Sequence, residues 1–410
     1  MQISWRVLLG ACAIYFLGTG SVYYGLSVVL KPLIETMGWS RTAGTSGITV
    51  VVLTMGFGGP LIAWLIGRVD VRGTVIVGAI CIALGALLGY HVTSLFEYYL
   101  ALGILGFGNA AATFIPLSQL VARWFSARRG LAMGILLTAA GLGAFVITPF
   151  YALVLERTGD WRLLFAIMGC AAPLIALLAL GLLRDAPSPD ASPPPRTDAP
   201  AVTASRVYQS AVDWGLGAAL RSYPLWVIVA AIGLGLLGLN LVTSQAVLHL
   251  TDLGISQVVA GSAVGAVGLF SVFGRFGGGF FGDRFEPRYL AALGLLCQAG
   301  ALVILLFADR TAVVYLFTLL FGIGFGLGIV TAPILMANFY GAGSLARING
   351  VTSVVTTGVS AIGPTLAGLS SDSLGSYAPV FFTVAVLGVL LAMVLGSLRP
   401  PSTSAAARVG

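Results

Sequence analysis

Residues 67–72 read GRVDVR and residues 282–288 read GDRFEPR; each charged segment follows a long apolar run, and their first residues are 215 positions apart. A helix that is dotted with glycine and reaches proline also occurs in each half, at residues 141–149 and 358–364. Any membrane helix can collect glycine and proline, but together with the charged segments these helices favour a duplicated fold. The chain is therefore expected to consist of two similar halves.

The composition predicts a membrane protein. Of the 410 residues, 58% are hydrophobic and 9% are charged, whereas charged residues make up about a quarter of an ordinary soluble domain. A membrane-spanning helix needs about 20 mostly apolar residues. Runs of this kind predict twelve spans, numbered here from the first to the twelfth, near residues 5–30, 42–66, 73–92, 97–121, 129–153, 161–183, 223–248, 256–281, 288–307, 312–336, 347–369 and 377–398. The expected fold is an all-α integral membrane protein whose twelve transmembrane helices form two pseudo-symmetric six-helix bundles.

The connection between the sixth and seventh spans is polar and contains six of the 18 prolines. The predicted domains are thus an N-terminal bundle at 1–183, a cytoplasmic Pro-rich linker at 184–222 and a C-terminal bundle with a short tail at 223–410. With both termini and the linker on one side, that side has 15 basic residues and the other has five. The positive-inside rule then places both termini in the cytoplasm, in a cell (inner) membrane protein.

The charged segments after the second and eighth spans, the twelve spans and the central linker resemble the major facilitator superfamily over essentially the whole chain. This resemblance implies a cytoplasmic gate in which carboxylates and arginines pair across the two halves. The residues concerned are Asp70, Arg72, Asp283 and Arg284. The first copy departs from the family pattern, because Arg68 stands where the second copy has Asp283. Ordinary loop charges that obey the inside rule remain the alternative interpretation.

Two further motifs resemble one branch of that superfamily. Residues 123–135, RWFSARRGLAMGI, are similar to the segment that enters the fifth helix of monocarboxylate transporters and their oxalate/formate-exchanger relatives. Residues 274–282, GRFGGGFFG, place an arginine inside the eighth span, as those relatives do. The resemblance implies transport of small organic anions.

Arg275 is the main candidate for substrate binding. It lies seven residues before Gly282, roughly 10 Å inside the cytoplasmic end of its helix, and a charge at that depth costs a few kcal/mol. The predicted spans place no Asp or Glu deep in the membrane, so a mobile anion is the natural partner. A guanidinium can hold a carboxylate through two parallel hydrogen bonds. The alternative is that Arg275 extends toward the cytoplasm or caps backbone carbonyls.

The number of buried cations favours a monoanion. By resemblance, oxalate exchangers carry a lysine in the eleventh helix, but the only lysine of this chain is Lys31. A monocarboxylate such as lactate or pyruvate is therefore expected rather than oxalate. Animal monocarboxylate transporters, again by resemblance, carry an aspartate four residues before the arginine and a lysine in the first helix. Here Ser271 and Tyr24 stand at those places, which leaves the proton-coupling residues open.

Other candidates come from polar and aromatic residues of the spans. Asp252 and His249 at the outer end of the seventh span could carry the proton, and they are equally readable as solvated loop residues. By resemblance, the cavity is lined mainly by the first, fourth, seventh and tenth helices. The candidate substrate contacts there and in the eleventh helix are Tyr23, Tyr24, Asn109, Phe114, Asn240, Phe325 and Thr356. Helix packing is the alternative role for each of them.

The sequence thus predicts a proton-coupled secondary transporter of small monocarboxylates that works as a monomer by rocker-switch alternating access. The expected partners are the substrate anion, the proton and the lipid bilayer. No cofactor, metal or nucleic-acid partner is expected. An enzyme is not expected, because no phosphate-binding Gly-Lys loop or HExxH pair is found. The alternatives are an organic-anion exchanger without proton coupling and a non-transporting membrane receptor.

Overall fold

The computed structural model describes residues 2–125, 129–184, 207–210, 214–282, 284–341 and 345–401. The first half contains α1 (Gln2–Gly18), a π-helical segment (Thr19–Tyr24), α2 (Leu26–Met37), α3 (Arg41–Phe57), α4 (Gly59–Tyr90), α5 (Leu95–Ala112), α6 (Phe114–Trp124), α7 (Arg129–Thr158) and α8 (Trp161–Leu182). The second half contains α9 (Leu216–Leu220), α10 (Tyr223–Asp252), α11 (Gln257–Gly282), α12 (Pro287–Leu306), α13 (Thr311–Tyr340), α14 (Leu345–Leu374) and α15 (Ala378–Ser397).

The predicted fold class is confirmed, because each predicted span falls on helix. Ten helical stretches of the described chain are long and apolar enough to cross a membrane. The second span is divided between α3, which has 17 residues, and the start of α4, while the eleventh is the more polar α14. The first and fourth spans are each built from more than one helical segment.

The first charged segment contains a sharp break inside α4. Asp70 adopts φ 64° and ψ −177°, so this element consists of two helices joined at a kink. The Asp70 carboxylate accepts a hydrogen bond from the backbone N–H of Gly73 at 2.7 Å. It therefore caps the N-terminus of the helix that forms the third span, where backbone N–H groups would otherwise have no partner.

A matched pair of arginines supports the internal repeat. Arg72 and Arg288 are the last residues of the two charged segments. Arg72 donates from Nη2 to the carbonyl of Leu180 at 2.8 Å, and Arg288 donates from Nη1 to the carbonyl of Leu398. Leu180 lies in the last turn of α8 and Leu398 directly follows α15. In each half, an arginine after the second span thus satisfies a carbonyl at the end of the sixth.

The structure forms two compact units. The N-terminal unit comprises residues within 1–202 and 243–269, and the C-terminal unit comprises residues within 203–242 and 270–410. Residues 243–252 of α10 and 257–269 of α11 therefore group with the first six spans. The predicted division of the chain at 183 and 223 stays a prediction about its internal repeat.

Small residues bring α11 against α7 in the N-terminal unit. A Cβ atom at Gly265 would lie 2.7 Å from the carbonyl oxygen of Ala144, and one at Gly268 would lie 2.7 Å from the Ala144 side chain. Only glycine at these positions lets the two backbones approach so closely.

Part of the predicted linker is packed on the C-terminal unit. The backbone N–H of Ser210 donates to Asn338 at 2.8 Å, and that of Trp214 donates to Tyr340 at 2.9 Å. The Trp214 and Tyr340 rings meet edge to face with centroids 5.6 Å apart. The Ser222 hydroxyl lies 2.6 Å from the Tyr340 hydroxyl. Residues 207–210 and 214–222 are therefore anchored to the end of α13.

Candidate functional site

Arg275 lies in α11, in the C-terminal unit, and its side chain is partly buried. Its backbone is pressed against α13, because a Cβ atom at Gly326 would lie 2.8 Å from the Arg275 nitrogen. A Cβ atom at Gly274 would in turn lie 2.9 Å from the Gly326 Cα atom. The two glycines therefore allow direct contact of helix backbones, which fixes the place from which the guanidinium extends.

Two of the predicted contacts of the C-terminal unit are used in helix packing. Asn240 is buried and donates from Nδ2 to the carbonyl of Ser360 at 2.9 Å, which joins α10 to α14. The Thr356 hydroxyl donates to the Ser353 carbonyl within its own helix, at 3.1 Å. The Asn240 contact is that of a polar helix interface, whereas the Thr356 contact satisfies the hydroxyl within α14. A role in binding substrate stays a prediction for both residues.

Phe325 is buried and lines a small cavity between α10, α12 and α13. The cavity has a volume of about 20 Å³, which is room for a single water molecule. Gln298 also lines it, and the Gln298 Oε1 atom has no hydrogen-bond partner in the described part of the chain. Phe325 therefore faces the interior of its own unit.

In the N-terminal unit, Tyr23 and Tyr24 belong to the π-helical segment of the first span. Their rings meet at right angles with centroids 5.1 Å apart, and the Tyr23 hydroxyl is hydrogen-bonded to Thr243 of α10. Single π turns inside α-helices are rare overall, but those that occur are frequently found at functional sites. No residue pattern predicted this segment, although Gly18 directly before it and Gly20 within it are compatible with it.

Asn109 faces the start of that segment. Its side chain is fully buried, and Oδ1 has no hydrogen-bond partner among the described residues. A Cβ atom at Gly18 would lie 3.3 Å from Oδ1. The fourth span breaks four residues later at Thr113, and Phe114 beyond the break is 47% exposed and lies 6.5 Å from the Tyr15 ring. An irregular turn of the first span thus faces an irregular turn of the fourth.

The sequence prediction missed two polar residues on the fifth span. Thr148 and Tyr151 are buried on α7; the Tyr151 hydroxyl is within hydrogen-bonding reach of Ser21 in the first span, and the Thr148 hydroxyl has no hydrogen-bond partner among the described residues. The Tyr151 ring lies against Gly25, where a Cβ atom would be 2.6 Å from it. Spacing of three residues on a helix places both hydroxyls on one face, a pattern that was readable from the sequence.

At the outer end of α10, Asp252 is held by two cations of the N-terminal unit. Lys31 Nζ lies 3.1 Å from Asp252 Oδ1, and Arg41 Nη1 lies 2.5 Å from Oδ2. Lys31 also donates to the Thr251 hydroxyl at 2.9 Å. His249 lies one turn earlier on the same helix and is partly buried. Two nearby cations stabilise the ionised carboxylate, which makes His249 the better placed of the two proton-carrier candidates.

The predicted cytoplasmic gate residues make local contacts. Asp70 caps a helix and Arg72 binds a helix end, both within the N-terminal unit. The Arg284 guanidinium lies 4.2 Å from the centroid of the Phe280 ring. Asp283 lies outside the described residues. Pairing of these charges across the two halves stays a prediction.

Chemically, the C-terminal unit offers a partly buried arginine, Arg275, and the N-terminal unit offers the buried Asn109 oxygen and the ion pairs of Asp252. A role of these groups in binding an anion stays a prediction.

A family model described as Major Facilitator Superfamily matches residues 8–364 and, in a second match, residues 246–409. Monocarboxylate transporter 13 of Bos taurus is 28% identical over 345 residues, which cover 82% of this chain and 77% of that protein. Monocarboxylate transporter 4 of Rattus norvegicus is 26% identical over 406 residues, covering 96% and 83% of the two chains.

Solved structures share the fold. A D-xylose-proton symporter superposes with a TM-score of 0.73 at 16% identity, covering 98% of this chain and 99% of that one. A bacterial homologue of the human lysosomal transporter Spinster, in its inward-facing and unoccupied conformation, superposes with a TM-score of 0.70 at 16% identity and covers 96% of each chain.

Proposed function

The chain belongs to the major facilitator superfamily of membrane transporters, and we propose that it carries small monocarboxylate anions such as lactate or pyruvate together with protons. The chain is similar over most of its length to proteins named monocarboxylate transporters, and it resembles them at residues 123–135 and 274–282. Alternating access, a monomeric state and cytoplasmic termini in the cell membrane belong to the same proposal.

The observation that carries the proposal is Arg275. Arg275 is partly buried in the apolar helix α11, and a guanidinium there can bind a substrate carboxylate through two parallel hydrogen bonds. Binding would partly neutralise the charge and so lower the cost of enclosing the site.

The test is uptake of labelled L-lactate into proteoliposomes, with and without an inward proton gradient. Accumulation that requires the gradient is expected from the proposal. Replacement of a charged hydrogen-bonding group costs about 1.5–3 kcal/mol, so Arg275→Ala should lower uptake roughly tenfold to a hundredfold. Arg275→Lys should retain part of it, because lysine keeps the charge but loses the planar two-bond geometry.

Arg157→Ala is the control, since Arg157 lies exposed at the outer end of α7. Full transport by Arg275→Ala would remove the proposed anchor. Uptake that appears only in vesicles preloaded with another organic anion would favour exchange over proton symport.

Proton coupling is assigned in the proposal to His249. His249→Gln should keep lactate exchange between preloaded vesicles and should lose accumulation driven by a proton gradient. Asp252→Asn serves as the comparison, because that carboxylate is held in its charged form by Lys31 and Arg41. If only Asp252→Asn loses gradient-driven accumulation, the assignment is reversed.

A further inference from the structure

Lys31, Arg41 and Asp252 form a cluster at the ends of α2, α3 and α10 that has the form of an occupied carboxylate site. Its two cations bind different oxygens of one carboxylate, Lys31 binding Oδ1 of Asp252 and Arg41 binding Oδ2. The side chains of Lys31, Arg41 and Asp252 are 20%, 30% and 33% exposed. The site is therefore accessible to water, and to small solutes in it.

The spacing of the two cations is set by the backbone between them. Lys31 lies in α2 and Arg41 is the first residue of α3. Gly38 ends α2 in the left-handed conformation at φ 65°, and the Ser40 hydroxyl caps α3 by accepting from the N–H of Ala43. Both ends of this short turn are thus fixed by standard caps. The cations are held apart at a distance that one carboxylate can bridge.

The cluster offers two cations to the carboxylate of Asp252. Two cations face one carboxylate, so the group carries a net charge of +1 from Lys31, Arg41 and Asp252. Glu35 lies one helical turn beyond Lys31 and is exposed. An exposed ion pair is worth about 1 kcal/mol or less, so an arriving anion can compete with Asp252 for these cations.

We propose that Lys31 and Arg41 form an outer carboxylate-binding site that Asp252 fills in this structure, and that an external monocarboxylate exchanges with Asp252 there. The proposal rests on the proposed function, since the substrate is taken to be a monocarboxylate. Asp252 joins α10 to α2 through Lys31 and to α3 through Arg41, so its release would remove two contacts at that end of α10 and leave the hydrogen bond from Lys31 to Thr251. The site thus couples arrival of an anion to loosening of the outer helix ends.

Lys31 permits a direct test because it is the only lysine of the chain. Purified protein is treated with an amine-acylating reagent, and acylation of Lys31 is followed by mass spectrometry of its peptide. The added probe is sodium acetate, with acetamide as its uncharged match and with ionic strength held constant by sodium chloride. Acetate tests the site without requiring that lactate be transported.

Asp252→Asn should raise the rate of Lys31 acylation about two- to fivefold, as expected for loss of one exposed ion pair. In that variant acetate should slow the acylation and acetamide should not. Glu35→Gln is the matched control, and its Lys31 should be acylated at the wild-type rate. The double variant Arg41→Gln, Asp252→Asn should lose protection by acetate, because a single cation remains.

Equal effects of acetate and acetamide in Asp252→Asn would overturn the proposal, and so would acetate protection that persists without Arg41. Failure of L-lactate uptake with intact acetate protection would count against the proposed substrate and leave the site standing. Uptake of lactate without any acetate protection of Lys31 would count against the carboxylate-binding site and leave the proposed substrate standing.

Discussion

Asp70 combines an unfavourable backbone conformation with a favourable cap. At φ 64° and ψ −177° it occupies a region that is essentially restricted to glycine and costs about 1–3 kcal/mol for other residues. Its carboxylate compensates by accepting from the Gly73 N–H. The strain lies within a charged segment that joins two spans, where a sharp turn must be made in a few residues.

Variants at Asp70 should separate the two effects. Asp70→Ala loses the cap and keeps the strain, so it should destabilise the protein by about 1 kcal/mol or more. Asp70→Gly loses the cap but relieves the strain, so its thermal midpoint should lie above that of the alanine variant. The measurement is thermal unfolding of the purified protein in one detergent. An alanine variant more stable than the glycine variant would contradict the strained backbone conformation at residue 70.

For single residues, the sequence predicted which side chains stand out chemically better than it predicted their partners and backbone conformations. Arg275 stood out because an apolar run without acidic residues contained it, and the structure places it in α11. The pairing of Lys31 with Asp252 was not predicted, because 221 positions separate them and charge alone does not choose a partner. The conformation of Asp70 was equally hidden, since most aspartates in such segments adopt ordinary backbone angles.

Helix pairs of this protein depend on glycine at the places where backbones meet. The approach of α11 to α7 at Gly265 is close enough that an added methyl group would lie 2.7 Å from a backbone oxygen. A backbone atom within a helix cannot rotate away as a flexible side chain can. Overpacking of this kind typically costs 1–3 kcal/mol.

Gly265→Ala should therefore lower the thermal midpoint, and Gly279→Ala is its control. Gly279 lies in the same helix and has no atom within 4 Å of an added Cβ, and alanine is the better helix former. The control should be neutral or slightly stabilising. Equal destabilisation by both substitutions would mean that the contact with α7 does not determine the result.

The twelve spans were predictable because a run of apolar residues suffices to locate a span. Their irregularities were harder to predict. The break at Thr113 precedes Pro116, which lacks an N–H group and so weakens the helix around it, but the π-helical turn at Thr19–Tyr24 has no comparable marker. Such features depend on packing between helices rather than on local sequence.

For the whole molecule, the repeat is visible in contacts as well as in sequence. Arg72 and Arg288 each bind a carbonyl at the end of the last helix of their half. A hydrogen bond from a charged donor contributes about 1.5–3 kcal/mol. These two contacts hold the ends of the sixth and twelfth spans to the segments after the second and eighth.

Arg72→Ala and Arg288→Ala should each lower stability, and the two losses should add, because the contacts share no partner. Arg68→Ala is the matched control, since Arg68 is exposed and lies over the Trp64 ring 5.2 Å from its centroid. Thermal unfolding of the single and double variants measures this. A double variant no less stable than either single one would mean that the contacts are not independent.

The anchoring of residues 207–210 and 214–222 on the end of α13 determines where the polypeptide can be divided. Fragments 1–200 and 201–410, produced together, should assemble and transport at close to the intact rate, because the second fragment keeps Trp214 and Ser222 against Tyr340. Fragments 1–222 and 223–410 place those contacts on the other chain and should assemble less well. Co-purification and uptake measure the difference. If the first pair works, covalent continuity between the halves is not required for membrane insertion, for assembly or for transport.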